Sequence, residues 1–154
     1  LVSRASAADV FWAFTRIGGA VGYYSTDWAW QIRGIADSLI GGVGLRRGRR
    51  HPEELRLGEA VDFWRVASIE PNRRLQLHAE MKVPGEAWLE FEVEATDTGS
   101  RLRQKASFYP RGLLGRLYWL LLTPFHGPIF SQMARGIVAA AEERSAARSS
   151  TEST

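Results

Sequence analysis

An α+β domain, in which an antiparallel sheet meets a long apolar C-terminal helix, is predicted by three features of the 154-residue chain. A segment of helical period stands near its start, residues 75–108 alternate apolar and polar side chains between turn signals, and an almost wholly apolar run begins at Leu113. Alternation with a period of two marks strands with one solvated face, whereas recurrence every three to four residues marks a helix with one buried face.

Ser6–Arg16 reads as an amphipathic helix, with Val10, Phe11, Phe14 and Ile17 at helical spacing, Ser6 or Asp9 as its cap and Gly18-Gly19 as its stop. The aromatic stretch from Tyr23-Tyr24 through Trp28 and Trp30 has no period, and Ile32–Ile40 is expected as a second short helix closed by Gly41-Gly42. From Gly41 to Gly58 the chain is loop-like, with a short strand expected near Glu54–Leu57. Arg46, Arg47, Arg49 and Arg50 crowd into five positions here, followed by His51. Such a cluster can attract phosphates, nucleic acid or an acidic membrane surface, and it can equally be a solvated loop that keeps the domain soluble.

The sheet follows. Ala60–Ile69 is β-branched and aromatic and ends at the turn Glu70-Pro71-Asn72. Its phase is open: if Phe63 points inward so does Arg65, if Trp64 points inward Arg65 is on the surface, and a bulge near Ala67 would change the face midway. Leu75, Leu77, Ala79 and Met81 form the inward set of the next strand, and Pro84-Gly85 turns the chain. Ala87, Leu89, Phe91 and Val93 follow, then a turn at Asp97–Ser100, then Leu102, Gln104, Ala106 and Phe108. On the outer face the glutamates of residues 86–94 come near Arg101, Arg103 and Lys105. Such cross-strand pairs contribute at most ~1 kcal/mol each and help set register, so this carboxylate row is read as structural rather than acid/base machinery.

Pro110-Arg111-Gly112 ends the sheet. Leu113–Thr123 reads as an apolar helix interrupted by Pro124 and Pro128, with a continuation over Ile129–Arg144 whose stripe is Phe130, Met133, Ile137, Val138 and Ala141. The apolar run falls short of the ~20 residues that span a bilayer. It is therefore a core helix with a proline kink or break, or a helix facing a membrane or a partner. One domain over residues 1–144 is expected, with 145–154 a mobile polar tail.

Several chemistries are excluded. The chain has no cysteine, hence no disulfide, thiolate metal site or cysteine nucleophile. No P-loop lysine, GxGxxG or GxSxG occurs. His51, His78 and His126 lack metal-ligand spacing, so neither metal nor cofactor is expected, and the aromatic–basic interleaving of a single-strand nucleic-acid platform is missing. The opening residues hold no hydrophobic run of signal-peptide length, which makes a cytoplasmic setting the expectation. Six Trp, four Tyr and seven Phe supply aromatic surface for a core and for a pocket lining.

Three strings, GGVGLRRGRRHPEELRLGEAVDFWRV, EMKVPGEAWLEFEV and YPRGLLGRLYWLLLTPFHGPIF, together with the element order, resemble the helix-grip fold of the SRPBCC (START-like) superfamily over about Phe11 to Ile137. More closely they are similar to an SRPBCC-type domain often fused behind an atypical short-chain-dehydrogenase, NAD(P)-binding domain, a half that has no counterpart in these residues. The resemblance implies a curved antiparallel sheet wrapped around the long C-terminal helix, with short N-terminal helices and a hydrophobic cavity between sheet and helix. It carries over no catalytic residues.

On this reading a small apolar or amphipathic ligand is lined by Leu77, Met81, Ala87, Leu89, Phe91, Gln104, Ala106 and Phe108 from the sheet and by Leu117, Tyr118, Leu121, His126 and Phe130 from the helix. Its acidic head, if it has one, is directed at Arg46, Arg47, Arg49 and Arg50. Two alternatives stay open: a cyclase- or hydrolase-type enzyme using His126, Gln104 and Tyr118, and an interaction module docking on a dehydrogenase-like partner or a membrane. No specific nucleic-acid partner is expected.

Overall fold

The computed structural model describes residues 1–24, 35, 39, 41 and 49–152. Among these a six-stranded antiparallel sheet, ordered β1-β6-β5-β4-β3-β2, is joined by two helices. The strands are β1 (Val2–Ser3), β2 (Ala60–Val61), β3 (Trp64–Glu70), β4 (Arg74–Ala79), β5 (Gly85–Thr96) and β6 (Gly99–Pro110); the helices are α1 (Ala7–Thr15) and α2 (Gly112–Glu152). The second helix expected over Ile32–Ile40, together with Trp28, Trp30, Arg46 and Arg47, lies outside the described residues except at Ile35 and Leu39.

Helix α1 starts where its sequence says it should. The Ser6 side chain accepts from the Asp9 backbone N–H at 3.2 Å and donates to the Asp9 carboxylate at 2.6 Å, so one residue caps the helix and orients the acid of its first turn. Val10, Ala13, Phe14 and Ile17 are buried, and the Phe14 ring stacks on Phe91 of β5 with centroids 5.4 Å apart. Each such large side chain taken from water contributes about 1.5–3 kcal/mol, which fixes a nine-residue helix that would not persist alone.

The β5–β6 hairpin runs in unbroken register from Gly85↔Pro110 to Thr96↔Gly99 and carries Glu94, Glu92 and Glu90 opposite Arg101, Arg103 and Lys105. The inner face of the sheet is closed by Leu75, Leu77, Leu89, Phe91, Val93 and Leu102, all buried. The segment 60–69 departs from a single strand. Asp62, at φ 52°, and Phe63 make a two-residue turn between Val61 and Trp64, which face each other. Aspartate is among the few residues that tolerate this left-handed conformation. Trp64 and Val66 then point inward and Arg65 outward, where it forms a paired hydrogen bond with Glu80; the register slips between Val66 and Ser68, leaving Ala67 exposed. No strand forms at Glu54–Leu57, where the backbone instead turns into Gly58 and Glu59 and bonds to Val66. A two-residue strand at the start of the chain, β1, adds to the outer edge of β6.

Helix α2 is continuous through Pro124 and Pro128 and on to Glu152, so residues 145–152 extend it where a polar tail was expected. Both prolines are exposed and stand four residues apart on one face. The carbonyls that lose an N–H partner are therefore turned to solvent, where water serves them. Its second half is seated by Met133, Ala134, Ile137 and Ala141. Beyond these, Arg148 donates to the buried Asp9 carboxylate at 2.9 Å, and the Arg144 guanidinium lies 4.2 Å from the centre of the Trp12 ring. These contacts tie the last turns of α2 to α1.

Candidate functional site

The first half of α2 is held over β6 by Gly115 and by its rings. At Gly115 a Cβ would stand 2.3 Å from the Pro84 carbonyl oxygen, so only glycine lets the helix approach the β4–β5 connection this closely. At 100° per residue Gly115, Trp119, Leu122, His126, Phe130, Met133 and Ile137 share one face, and this face meets the sheet. A row of rings results. Phe108 of β6 lies 5.2 Å from Trp119, nearly parallel to it, and 5.6 Å from Tyr118; Trp119 lies 5.0 Å from His126, and His126 stacks 5.6 Å from Phe130. The row ends at Gln104, whose amide nitrogen donates to the Phe130 carbonyl at 3.3 Å.

Five of the expected lining residues, Gln104, Phe108, Tyr118, His126 and Phe130, are thus brought together. Leu77, Leu89 and Phe91 are buried in the sheet face below, Met81 is buried just beyond the end of β4, and Ala87 is half-buried beside Phe108. Leu117 and Leu121 are elsewhere: they are 55% and 72% exposed, on the face of α2 turned away from the sheet. The phase of an all-leucine stretch is set by its few non-leucine members, and here Gly115, Trp119 and His126 take the inner side. Trp119 shares this face with His126 and Phe130, seven and eleven residues on, but spacing alone did not single it out from the leucines around it.

The floor of the site has a distinct composition. Phe108 pairs with Ala87 across β5, Ala79 pairs with Trp64 across β3, and the β4–β5 ladder that ends at His78↔Trp88 brings Ala79 alongside Ala87. Two alanines therefore separate two large rings. One strand position further, Ala106 pairs with the fully buried Leu89, which places it on the inner face, yet Ala106 is exposed. Gln104 Oε1, an acceptor, is buried here without a partner among the described residues; Trp64 Nε1, a donor, is likewise unpartnered but belongs to β3, two strands beyond β5. His126 Nδ1 lies 2.8 Å from the Leu122 carbonyl. A carbonyl can only accept, so Nδ1 carries the proton and Nε2 is the basic nitrogen of the neutral ring.

The arginine cluster divides. Arg49 donates to the Ile17 carbonyl at 3.0 Å and the Thr15 carbonyl at 2.9 Å, closing the C-terminal end of α1, and its aliphatic stem packs on Gly19. Burial disfavours its charge and lowers its pKa, opposed by Glu59. Arg50 faces Glu54 and Glu59, each at 3.8 Å. Next to Arg49, the Tyr24 hydroxyl donates to Ala13 O at 2.7 Å, and burial pushes its pKa up to about 12. The Asp62 carboxylate accepts from the Tyr23 hydroxyl and the Gly19 amide, binding the β2–β3 turn to the end of α1.

Residues 2–133 match a family described as "Protein of unknown function (DUF2867)". The chain belongs to this family. Among solved structures, the fold is similar to protein CV1439 from Chromobacterium violaceum, at 14% identity and a TM-score of 0.51, over 92% of this chain and 93% of that one. Protein MLL2253 from Mesorhizobium loti is similar at 14% identity and a TM-score of 0.49, over 89% and 92% of the two chains. CalU16 from Micromonospora echinospora is similar at 18% identity and a TM-score of 0.41, over 94% and 81%. No curated protein matches the chain. At such identities the likeness is one of fold alone.

Proposed function

We propose that this DUF2867 domain binds a small, mostly apolar molecule between the inner face of β6 and the first half of α2. The observation that carries this reading is Ala106. Its neighbour across the strands, Leu89, has no exposed surface, while Ala106 itself, on the same face, stays open to solvent. A helix packed only for stability would cover that methyl group. The rings of Phe108, Trp119, His126 and Phe130 supply flat apolar walls beside it, and the small side chain of Ala87 leaves the floor recessed. Gln104 Oε1 offers one acceptor, so the ligand class that suits the site is a planar or alicyclic apolar molecule with a hydroxyl group. Binding such a molecule satisfies an atom that otherwise costs about 1–3 kcal/mol when buried unpaired.

The test is native mass spectrometry of protein purified without detergent, followed by titration with 1-anilinonaphthalene-8-sulfonate. A co-purifying small molecule, or saturable probe binding by the native state that Ala106→Trp abolishes without loss of thermal stability, supports the site. Protein that carries nothing and binds no probe, in a state that Ala106→Trp destabilises, refutes it.

A further inference from the structure

The outward face of α2 has no part in that reading. Leu113, Leu117, Leu120 and Leu121 fall within about 100° of helix circumference, with Leu114 and Phe125 along one border. All six are exposed, by 55% at Leu117 to 75% at Leu114. Soluble monomers rarely leave contiguous apolar surface beyond a few hundred Å² uncovered. The exposure is also confined to one half of the helix, since beyond Pro128 the same face carries Ser131, Gln132 and Arg135.

The charge around the stripe says what covers it. Residues 112–141 of α2 contain no aspartate or glutamate and two cations, Arg116 and Arg135, whereas Arg101, Arg103 and Lys105 of β6 stand opposite glutamates of β5. Arg103 and Arg111 are matched by Glu94 and Glu86 of β5. Arg116 and Arg135 are exposed on α2 itself, one flanking the leucines and the other closing their far end. A second copy docking through this face would bring like charges together, whereas an anionic surface complements them. Among the described residues no helix is long and apolar enough to cross a membrane. An apolar helix face with flanking arginines that cannot span is suited to lie along the headgroup–acyl boundary.

We infer that the Leu113–Phe125 face of α2 docks this domain on the surface of an anionic lipid bilayer, with the leucines entering the interface and Arg116 and Arg135 meeting lipid phosphates. This does not depend on the ligand-binding site, which is on the opposite side of the helix.

Flotation of the purified full chain with vesicles tests it, using phosphatidylglycerol mixed with phosphatidylcholine against phosphatidylcholine alone. The chain is expected to float with the anionic vesicles, less so as salt is raised, and weakly with the neutral ones. Leu117→Glu with Leu121→Glu should weaken binding by at least about tenfold, since each leucine withdrawn from water is worth that factor or more. Arg116→Glu with Arg135→Glu should reduce binding to the anionic vesicles only. Both variants change exposed positions, and thermal unfolding close to that of the parent chain verifies their folding. A folded parent chain that does not float with anionic vesicles at low salt overturns the inference. So does vesicle binding that the double leucine variant leaves unchanged, or a non-floating parent dimer that this variant makes monomeric.

Discussion

Arg49 and Arg50 are adjacent and chemically identical, and the structure assigns them different weights. Replacing Arg49 by Ala removes two hydrogen bonds from a guanidinium to the carbonyls of Thr15, the last residue of α1, and of Ile17 just beyond it. Bonds to a charged partner contribute about 1.5–3 kcal/mol each, and a cation at a helix C-terminus adds about 0.3–1 kcal/mol. Two effects reduce the sum. Burial already disfavours the Arg49 charge, and the freed carbonyls can recover water at the surface of a half-buried site. The expected loss is therefore about 2–3 kcal/mol, and for a domain of this length about 2–4 °C per kcal/mol gives a fall in Tm of about 4–12 °C. Arg50→Ala removes only ion pairs at 3.8 Å from a side chain that is 45% exposed, worth ~1 kcal/mol or less. Arg49→Lys keeps the charge but loses the planar fork that reaches two carbonyls, and should recover less than half of the loss. Urea and thermal unfolding of the three variants side by side provide the assay. Equal destabilisation by Arg49→Ala and Arg50→Ala would refute the assignment of Arg49 to the end of α1.

Other expectations follow from single contacts. Tyr24 holds its proton to about 12 in the folded chain against 10.0 for the unperturbed phenol, so the stability it confers is complete below pH 10 and is lost as pH rises toward 12; Tyr24→Phe should flatten that decline in pH-dependent unfolding and cost about 1 kcal/mol at neutral pH through the lost bond to Ala13. Glu142 is held below the usual carboxylate range by the Arg4 amide and then by the Ser3 hydroxyl, so its contribution is present above that range and is lost as pH falls through the lowered value. Glu142→Gln should accelerate amide exchange at Arg4 at neutral pH and make it less sensitive to acid. Two glycines of α2 should respond with opposite signs: Gly115→Ala forces a Cβ onto the Pro84 carbonyl and should cost about 1–3 kcal/mol or more, whereas Gly127→Ala, with nothing within 4 Å, should stabilise by about 0.5–1 kcal/mol in thermal unfolding. On the inner sheet face, Ala79→Trp should overpack a core position that is 6% exposed and cost about 1–3 kcal/mol or more, while Ala106→Trp, by calorimetry, should change stability by under ~0.5 kcal/mol.

The sequence by itself determined those elements whose side chains alternate or recur with a clean period. Residues 75–108 could pair in only one phase, because a slip of one position would turn Leu75, Leu77, Leu89 and Phe91 out to water and Glu90 and Glu92 into the core. Ser6 with Asp9 likewise announced the start of α1, since capping is a contact between near neighbours. Tertiary structure decided what depends on partners distant in the chain. Trp64 rather than Arg65 faces inward because the two-residue turn at Asp62-Phe63 sets the phase and Glu80, fifteen residues on, takes the guanidinium. Arg49 leaves the solvated cluster because carbonyls of residues 15 and 17 come within its reach. The rotation of α2 was hidden for a physical reason: six leucines in ten positions offer apolar surface in every direction, and period alone cannot orient a helix that is hydrophobic all round. The approach permitted at Gly115, with Phe108 against Trp119, turned Leu117 and Leu121 outward and left Ala106 uncovered on the inner face.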